Sequence, residues 1–251
     1  ISCASLNRNL HICSLKFYDI MKKVLVVCLL LLIVACSQEK ELGNMVVQGK
    51  IKGLKKGTLY LQKMRDTVVV SVDSIRLFGE DTFTLTDNIT SSEMYFLNLD
   101  QNQSTLSFFG EEGTITINDQ IEKFGVAPLI KGSNNQKVLE DYKEVAKKFQ
   151  GKQLDLLAAN LQAQKDNDLE TSESLRKQAE KQQLKKYIYT INFALNHADT
   201  EAAAYITLTE LVNANIKYLD SINNSLSEKV QQSYYGKKLA DFVSTIKETE
   251  K

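Results

Sequence analysis

The feature that most constrains this chain is a change of hydrophobic period at Gly132. From Gly43 up to that point, apolar and polar residues alternate, as they do in strands that bury one face. Beyond it, apolar residues recur every three to four positions, as on the buried stripe of a helix. Nine of the eleven glycines fall between Gly43 and Gly132, which fits a region of many tight turns.

The alternating region predicts strands near 45–51, 58–61, 67–72, 82–86, 94–99, 105–109 and 113–117, with Gly53 and Gly57 bracketing the first turn. Seven or eight short strands at a spacing of about 8–12 residues are the signal of an antiparallel sandwich or open barrel. In the second region Val138, Leu139, Tyr142, Val145, Ala146 and Phe149 share one helical face. Leu154, Leu157, Ala158 and Leu161 are read as continuing that stripe past Gly151. A polar stretch at 166–174 reads as a turn. A second long helix then runs to about Leu195, carrying Leu184, Ile188, Ile191 and Leu195. Further helices are expected over 201–212, after the capping-box sequence Ser225-Leu226-Ser227-Glu228, and around Leu239, Phe242, Val243 and Ile246. The stripe breaks at Asn167-Asp168 and shows no sustained heptad, so a bundle or hairpin array is favoured over a coiled coil. The expected fold class is α+β: a β domain over 44–132, then an all-helical domain over 133–251.

The chain has 251 residues, with 31 basic and 31 acidic side chains. That balance argues against a nucleic-acid partner, which selects a basic excess. The first methionine is Met21, followed by Lys22 and Lys23 and by an unbroken run of eleven apolar residues over 24–34. The run fits the core of an export signal and falls short of the roughly 20 residues a spanning helix needs. Ile33-Val34-Ala35-Cys36 closes it. An aliphatic residue, Val, a small residue and Cys in that order resemble the lipobox of bacterial lipoproteins. The resemblance implies cleavage between Ala35 and Cys36, and acylation (palmitate and related chains) of Cys36 as a membrane anchor. Two or more acyl chains give a stable anchor where one gives marginal binding. Residues 1–20 are read as a mis-called upstream extension of the reading frame rather than a real N-terminal segment, 21–35 as the signal peptide and 36–43 as a tether. Setting aside Arg8, Lys16, Lys22, Lys23 and Asp19 leaves 27 basic and 30 acidic side chains over 36–251, a net of −3.

The β region resembles a second family: the N-terminal domain of unknown function that precedes thioredoxin-like modules in many Gram-negative lipoproteins. The residues that carry the resemblance are Gly49-Lys50-Ile51-Lys52-Gly53 with Gly57, Leu59-Tyr60-Leu61, Asp73-Ser74, Phe83, Phe108-Phe109, Gly113-Thr114-Ile115 and Gly132-Ser133-Asn134-Asn135. Ala202-Ala203-Ala204-Tyr205-Ile206 and 233–239 are similar to the helical segment that follows that domain. In the longer relatives a Cys-x-x-Cys domain comes next; no residue here matches its cysteines, so its thiol chemistry is not carried over.

The remaining inventory points away from catalysis. All four cysteines lie at or before Cys36, and His197 is the one histidine past it, placed at a helix end or turn. No nucleophile–base set, metal-ligand spacing or phosphate loop is recognisable, so no catalytic residue, cofactor or metal is expected. Asp73-Ser74 reads as turn chemistry at a strand end. Glu80-Asp81 and Glu111-Glu112 are acidic pairs that could be weighed as cation ligands, but adjacent strand residues point to opposite faces and make poor paired ligands, so both read as solvated loops. Tyr95-Phe96 and Phe108-Phe109 each place one ring inward and one outward, the outward ones being candidates for a partner or glycan surface. The charge-rich stretches 143–148 and 177–186 read as solvated helix faces. The expected function is that of a lipid-anchored cell-envelope protein, outer-membrane rather than inner since Ser37 follows the cysteine. It would act as a non-enzymatic interaction module with a protein partner in the envelope. The alternatives are an accessory to a thioredoxin-like system acting in trans, and a glycan- or peptide-binding lipoprotein.

Overall fold

A computed structural model describes residues 42–100 and 104–249 of the chain. The signal, Ala35 and Cys36 lie outside the described residues. Eight strands form two four-stranded sheets. The first has the order β4 (Thr82–Asp87), β1 (Met45–Lys52), β7 (Gly113–Gln120), β8 (Leu129–Lys131). The second has the order β3 (Val68–Phe78), β2 (Lys56–Arg65), β5 (Glu93–Leu99), β6 (Thr105–Gly110). The chain switches sheet after β1, β3, β4 and β6. The result is a sandwich, not a barrel.

Two features differ from the expected antiparallel sandwich. β1 and β7 run parallel, Met45 beside Gly113 and Ile51 beside Asp119, so the first sheet is mixed. Alternation reports which face of a strand is buried and is blind to the direction of its neighbour. Asp73-Ser74 lies inside β3, not at its end. The Leu61–Asp73 and Gln62–Ser71 pairs flank a bulge, and the Asp73 carboxylate accepts from Thr86 N–H on the opposite sheet at 2.8 Å. A bulge re-aims a side chain; here it turns one toward β4 to brace the two sheets.

Inward positions fill the sandwich. Met45, Val47, Leu59, Leu61, Leu97, Phe108, Ile115 and Ile117 are fully buried together. Gly49 lets β1 lie close to β7: a Cβ there would sit 1.7 Å from the Ile117 carbonyl oxygen. One polar cluster enters this interior. Lys63 Nζ donates to Asp87 at 2.5 Å and to the Tyr95 hydroxyl at 2.9 Å, and lies 3.4 Å from Glu93. Arg65 grips Glu93 through two bonds of 2.6 and 3.0 Å. A buried ammonium persists only when its donors and charge are met, and these partners do both while tying β4 to β2 and β5. Burial raises the Tyr95 pKa, with the hydrogen bond to Asp87 adding to it, so its hydroxyl remains a donor.

Six helices follow: α1 (Asn134–Lys165), α2 (Leu169–Asn196), α3 (Glu201–Glu210), α4 (Ile216–Ser225), α5 (Glu228–Gln231) and α6 (Tyr234–Thr249). α4 lies between the expected helices and has no counterpart among them. Gly151 does not interrupt α1, and the turn is only Asp166 to Asp168. α5 is capped by Ser227, whose hydroxyl accepts from Val230 N–H at 3.4 Å, while Ser225 bonds back to Ile222. His197 ends α2, as expected, with its ring 4.3 Å from that of Phe193.

Helices and sandwich share a core. Met94 and Phe109, on the outer face of the second sheet, are buried against Val138, Leu139, Tyr142, Ala202 and Ile206. Phe109 thus faces the chain's own Tyr205 and Tyr235, with ring centroids 5.6 and 5.9 Å away, and offers no surface to a partner. A second helical core gathers α2, α4, α5 and α6 around Ile191, Leu219, Ile222 and Leu239.

Candidate functional site

The Gly132-Ser133-Asn134-Asn135 segment is the joint between strands and helices. Gly132 has a φ of +98°, and a Cβ there would meet the Thr114 carbonyl oxygen at 2.1 Å. Ser133 caps α1 by accepting from Gln136 N–H at 3.0 Å. Glu111 accepts from the Ser133 hydroxyl at 2.7 Å and from Asn135 N–H at 3.1 Å. The Asn135 amide donates to buried Glu201 at 2.9 Å and accepts from Ala202 N–H at 2.8 Å. Glu111 is therefore a structural acceptor and not a free loop carboxylate. A polar recess of about 460 Å³ opens beside this joint, where Lys229 stands 3.8 Å from Glu201. Among the described residues no group of three or more His, Cys, Asp or Glu is placed to hold a metal ion.

The larger concavity, about 920 Å³, runs along one side of the hairpin made by α1 and α2. Its floor is aromatic, from Tyr142, Phe149 and Tyr187, and its rim carries Gln150, Gln182 and Gln183 with Lys143, Lys147 and Lys186. At its inner end Tyr142 and Thr190 share a 3.0 Å hydrogen bond, and Lys186 pairs with Glu210 of α3 at 2.8 Å. Burial pushes the Tyr142 pKa up, and loss of hydration pulls the Lys143 pKa down. The stretches read as solvated faces thus supply one wall of a cleft. The lining has neither histidine nor cysteine; its amides, cations and rings suit it to binding.

The hairpin itself departs from the expected pattern. Its two arms meet along a heptad-spaced seam. On α1 it runs Leu139, Tyr142, Ala146, Phe149, Gln153, Leu156, Asn160, Ala163; on α2 it runs Ser172, Leu175, Ala179, Gln182, Lys186, Tyr189, Phe193. Steps of three and four repeat throughout, as in a coiled coil. Tyr142 stacks on Tyr189 at 5.9 Å near the base, and the Ser172 hydroxyl donates to Asn160 at 2.7 Å near the tip. The polar Gln153, Asn160 and Gln182 hid this seam in the sequence. Leu154, Leu157 and Leu161 do not continue the buried stripe. They are turned off it by about 100° per residue and stand 58, 52 and 50 % exposed. Leu154 borders the cleft, and Leu157 and Leu161 extend its apolar wall outward.

The predicted lipid site at Ala35-Cys36 falls outside the described residues, and the cleft was not read from the sequence at all. A signal for it existed: Lys143, Lys147, Gln150, Leu154, Leu157 and Leu161 follow steps of 4, 3, 4, 3 and 4. Comparison with known proteins adds one finding. No curated protein and no solved structure matches the chain significantly. Residues 45–139, from the first strand through the opening turns of α1 and including the Gly132–Asn135 joint, match the family model of a domain of unknown function (DUF4369).

Proposed function

We propose that this chain is a lipid-anchored protein of the cell envelope, held at the outer membrane through Cys36, and that it works as a non-enzymatic interaction module presenting its helical hairpin to a protein partner. One observation carries the interaction role: the outer half of the hairpin packs on nothing else in the described chain. The two helical cores reach no further than Ala146 on α1 and Tyr187 on α2. About 28 Å of α1 therefore extends past the body, bearing Leu154, Leu157 and Leu161 in the open. The anchor rests on the order of charges, apolar run, Ala35 and Cys36.

Two measurements test the reading. Labelled palmitate should enter the wild type, and Cys36→Ala should lose both the label and membrane fractionation; a Cys36→Ala protein that stays in the membrane fraction overturns the anchor. A photo-crosslinking amino acid at position 157 should give protein adducts in intact cells; adducts to lipid alone, or none, overturn the presentation of the hairpin.

A further inference from the structure

We infer that the partner of the hairpin face is a second copy of this chain, packed antiparallel about a two-fold axis near Leu157. The inference rests on the reading of the hairpin as an interaction surface and names its occupant.

The face has the composition of half an interface. From α1 it presents Leu154, Leu157 and Leu161 at i, i+3 and i+7; from α2, at matching spacing, it presents Leu169, which is 78 % exposed. Two helices side by side over 143–165 offer about 33 Å by 18 Å, or roughly 600 Å² per copy. Two copies would bury about 1,200 Å², the lower end of specific interfaces.

Charge selects the occupant and its direction. The base of the face is basic, with a net of +2 over 143–148, and the tip is acidic, with a net of −2 over 165–170. Lys147 lies ten residues before Leu157, about 15 Å along α1, and the C-cap Asp166 nine after it, about 14 Å, with Asp168 beside it in the turn that bonds back to the Ala163 carbonyl. An antiparallel copy brings each acidic tip onto the other's basic base, and a parallel one sets like charges together. The same symmetry sets Leu154 against Leu161 of the second copy and carries Leu169, which lies level with Ala163 because Ser172 meets Asn160 across the hairpin, to the level of Gly151 beside the outer end of the cleft. A two-fold interface demands a self-complementary patch, and this face is one. The hairpin also gains a reason for its weak seam, since a second pair of helices would complete a four-helix core around the exposed leucines.

The test uses the full chain in intact cells. Under mild oxidation, Leu157→Cys should yield a covalent dimer absent from the wild type, and Leu184→Cys, a comparably exposed leucine at another angle of the hairpin, should yield at least 10-fold less. Adding Lys143→Glu and Lys147→Glu to Leu157→Cys should cut the dimer at least 10-fold, and further adding Asp166→Lys and Glu170→Lys should restore it. No dimer at position 157, an equal dimer at position 184, or no response to the charge changes overturns the inference. A photo-adduct at position 157 to a different protein, with no self-crosslink, overturns the second copy and leaves the interaction role standing.

Discussion

The sandwich and the outer hairpin solve the burial problem in opposite ways. The inward positions of the sandwich are filled largely by apolar side chains of both sheets, and the buried Lys63 ammonium among them is met by Asp87, Glu93 and Tyr95. The outer hairpin has one seam, interrupted by Gln153, Asn160 and Gln182, and a second apolar stripe that no other described residue covers. Two antiparallel helices bury only the faces they turn to each other, and isolated helical segments are marginal in water. The sandwich therefore completes itself within the chain, whereas the hairpin carries more apolar surface than its own fold can use.

The contrast breaks most visibly at Lys63. Lys63→Ala leaves Asp87 without its cation and Glu93 with Arg65 alone, and should destabilise the folded body by about 3–5 kcal/mol in urea unfolding. A loss below about 1 kcal/mol would mean that water already reaches the cluster and that the sandwich is less closed than its burial indicates. Asn135→Ala comes next. It removes bonds to Glu201, Ala202 and Glu111 while leaving Glu201 buried, with an expected cost of about 2–3 kcal/mol. Asn135→Asp should cost no less, because it places a third carboxylate between Glu111 and Glu201.

Much of the sandwich was legible because a period of two maps directly onto a buried face. All seven anticipated strands are present, extended at their ends, and only three-residue β8 escaped. The parallel β1–β7 pairing was illegible for a physical reason: strand direction is decided by chain connection, not by which residues are buried. The hairpin was harder. Its true seam runs through amides, and the more hydrophobic run Leu154, Leu157, Leu161 lies off it, so a reading that follows hydrophobicity selects the wrong face. The function of Glu111 and Asp73 was invisible because each acts on backbone donors distant in sequence: Asn135 is 24 residues from Glu111, and Thr86 is 13 from Asp73.

The two faces can be told apart by measurement. Leu156 is buried in the seam and neighbouring Leu157 is half exposed, so Leu156→Ala should cost about 2 kcal/mol and Leu157→Ala within about 0.5 kcal/mol at high dilution. Unfolding at increasing protein concentration sharpens the comparison. The cost of Leu157→Ala should grow with concentration if a second copy covers that face, because association stabilises only the folded form; the cost of Leu156→Ala should hold steady.

The smallest expected effect is one of pH, and it separates the hairpin tip from the body. Hydrogen bonding to the Arg176 guanidinium holds the Glu173 carboxyl at a pKa of about 2, and the Thr171 backbone N–H lowers that of Asp168, the residue that caps α2. Both carboxylates have folded pKa values below their ordinary ones. Their contributions are fully present above about pH 4.5, where the unfolded chain is also ionised, and fade as pH falls toward about 2. Both groups sit in the exposed first turns of α2, so salt and solvent screen them, and the loss should be local. Acidification from pH 5 to 2.5 should quicken proteolysis by pepsin near the turn at 166–168. The Asp168→Asn, Glu173→Gln double variant should lose most of that pH dependence beyond the protease's own. A variant that keeps the full dependence would place the acid-sensitive contact elsewhere on the hairpin, with the Lys147 and Asp168 pairing of two copies the first to examine.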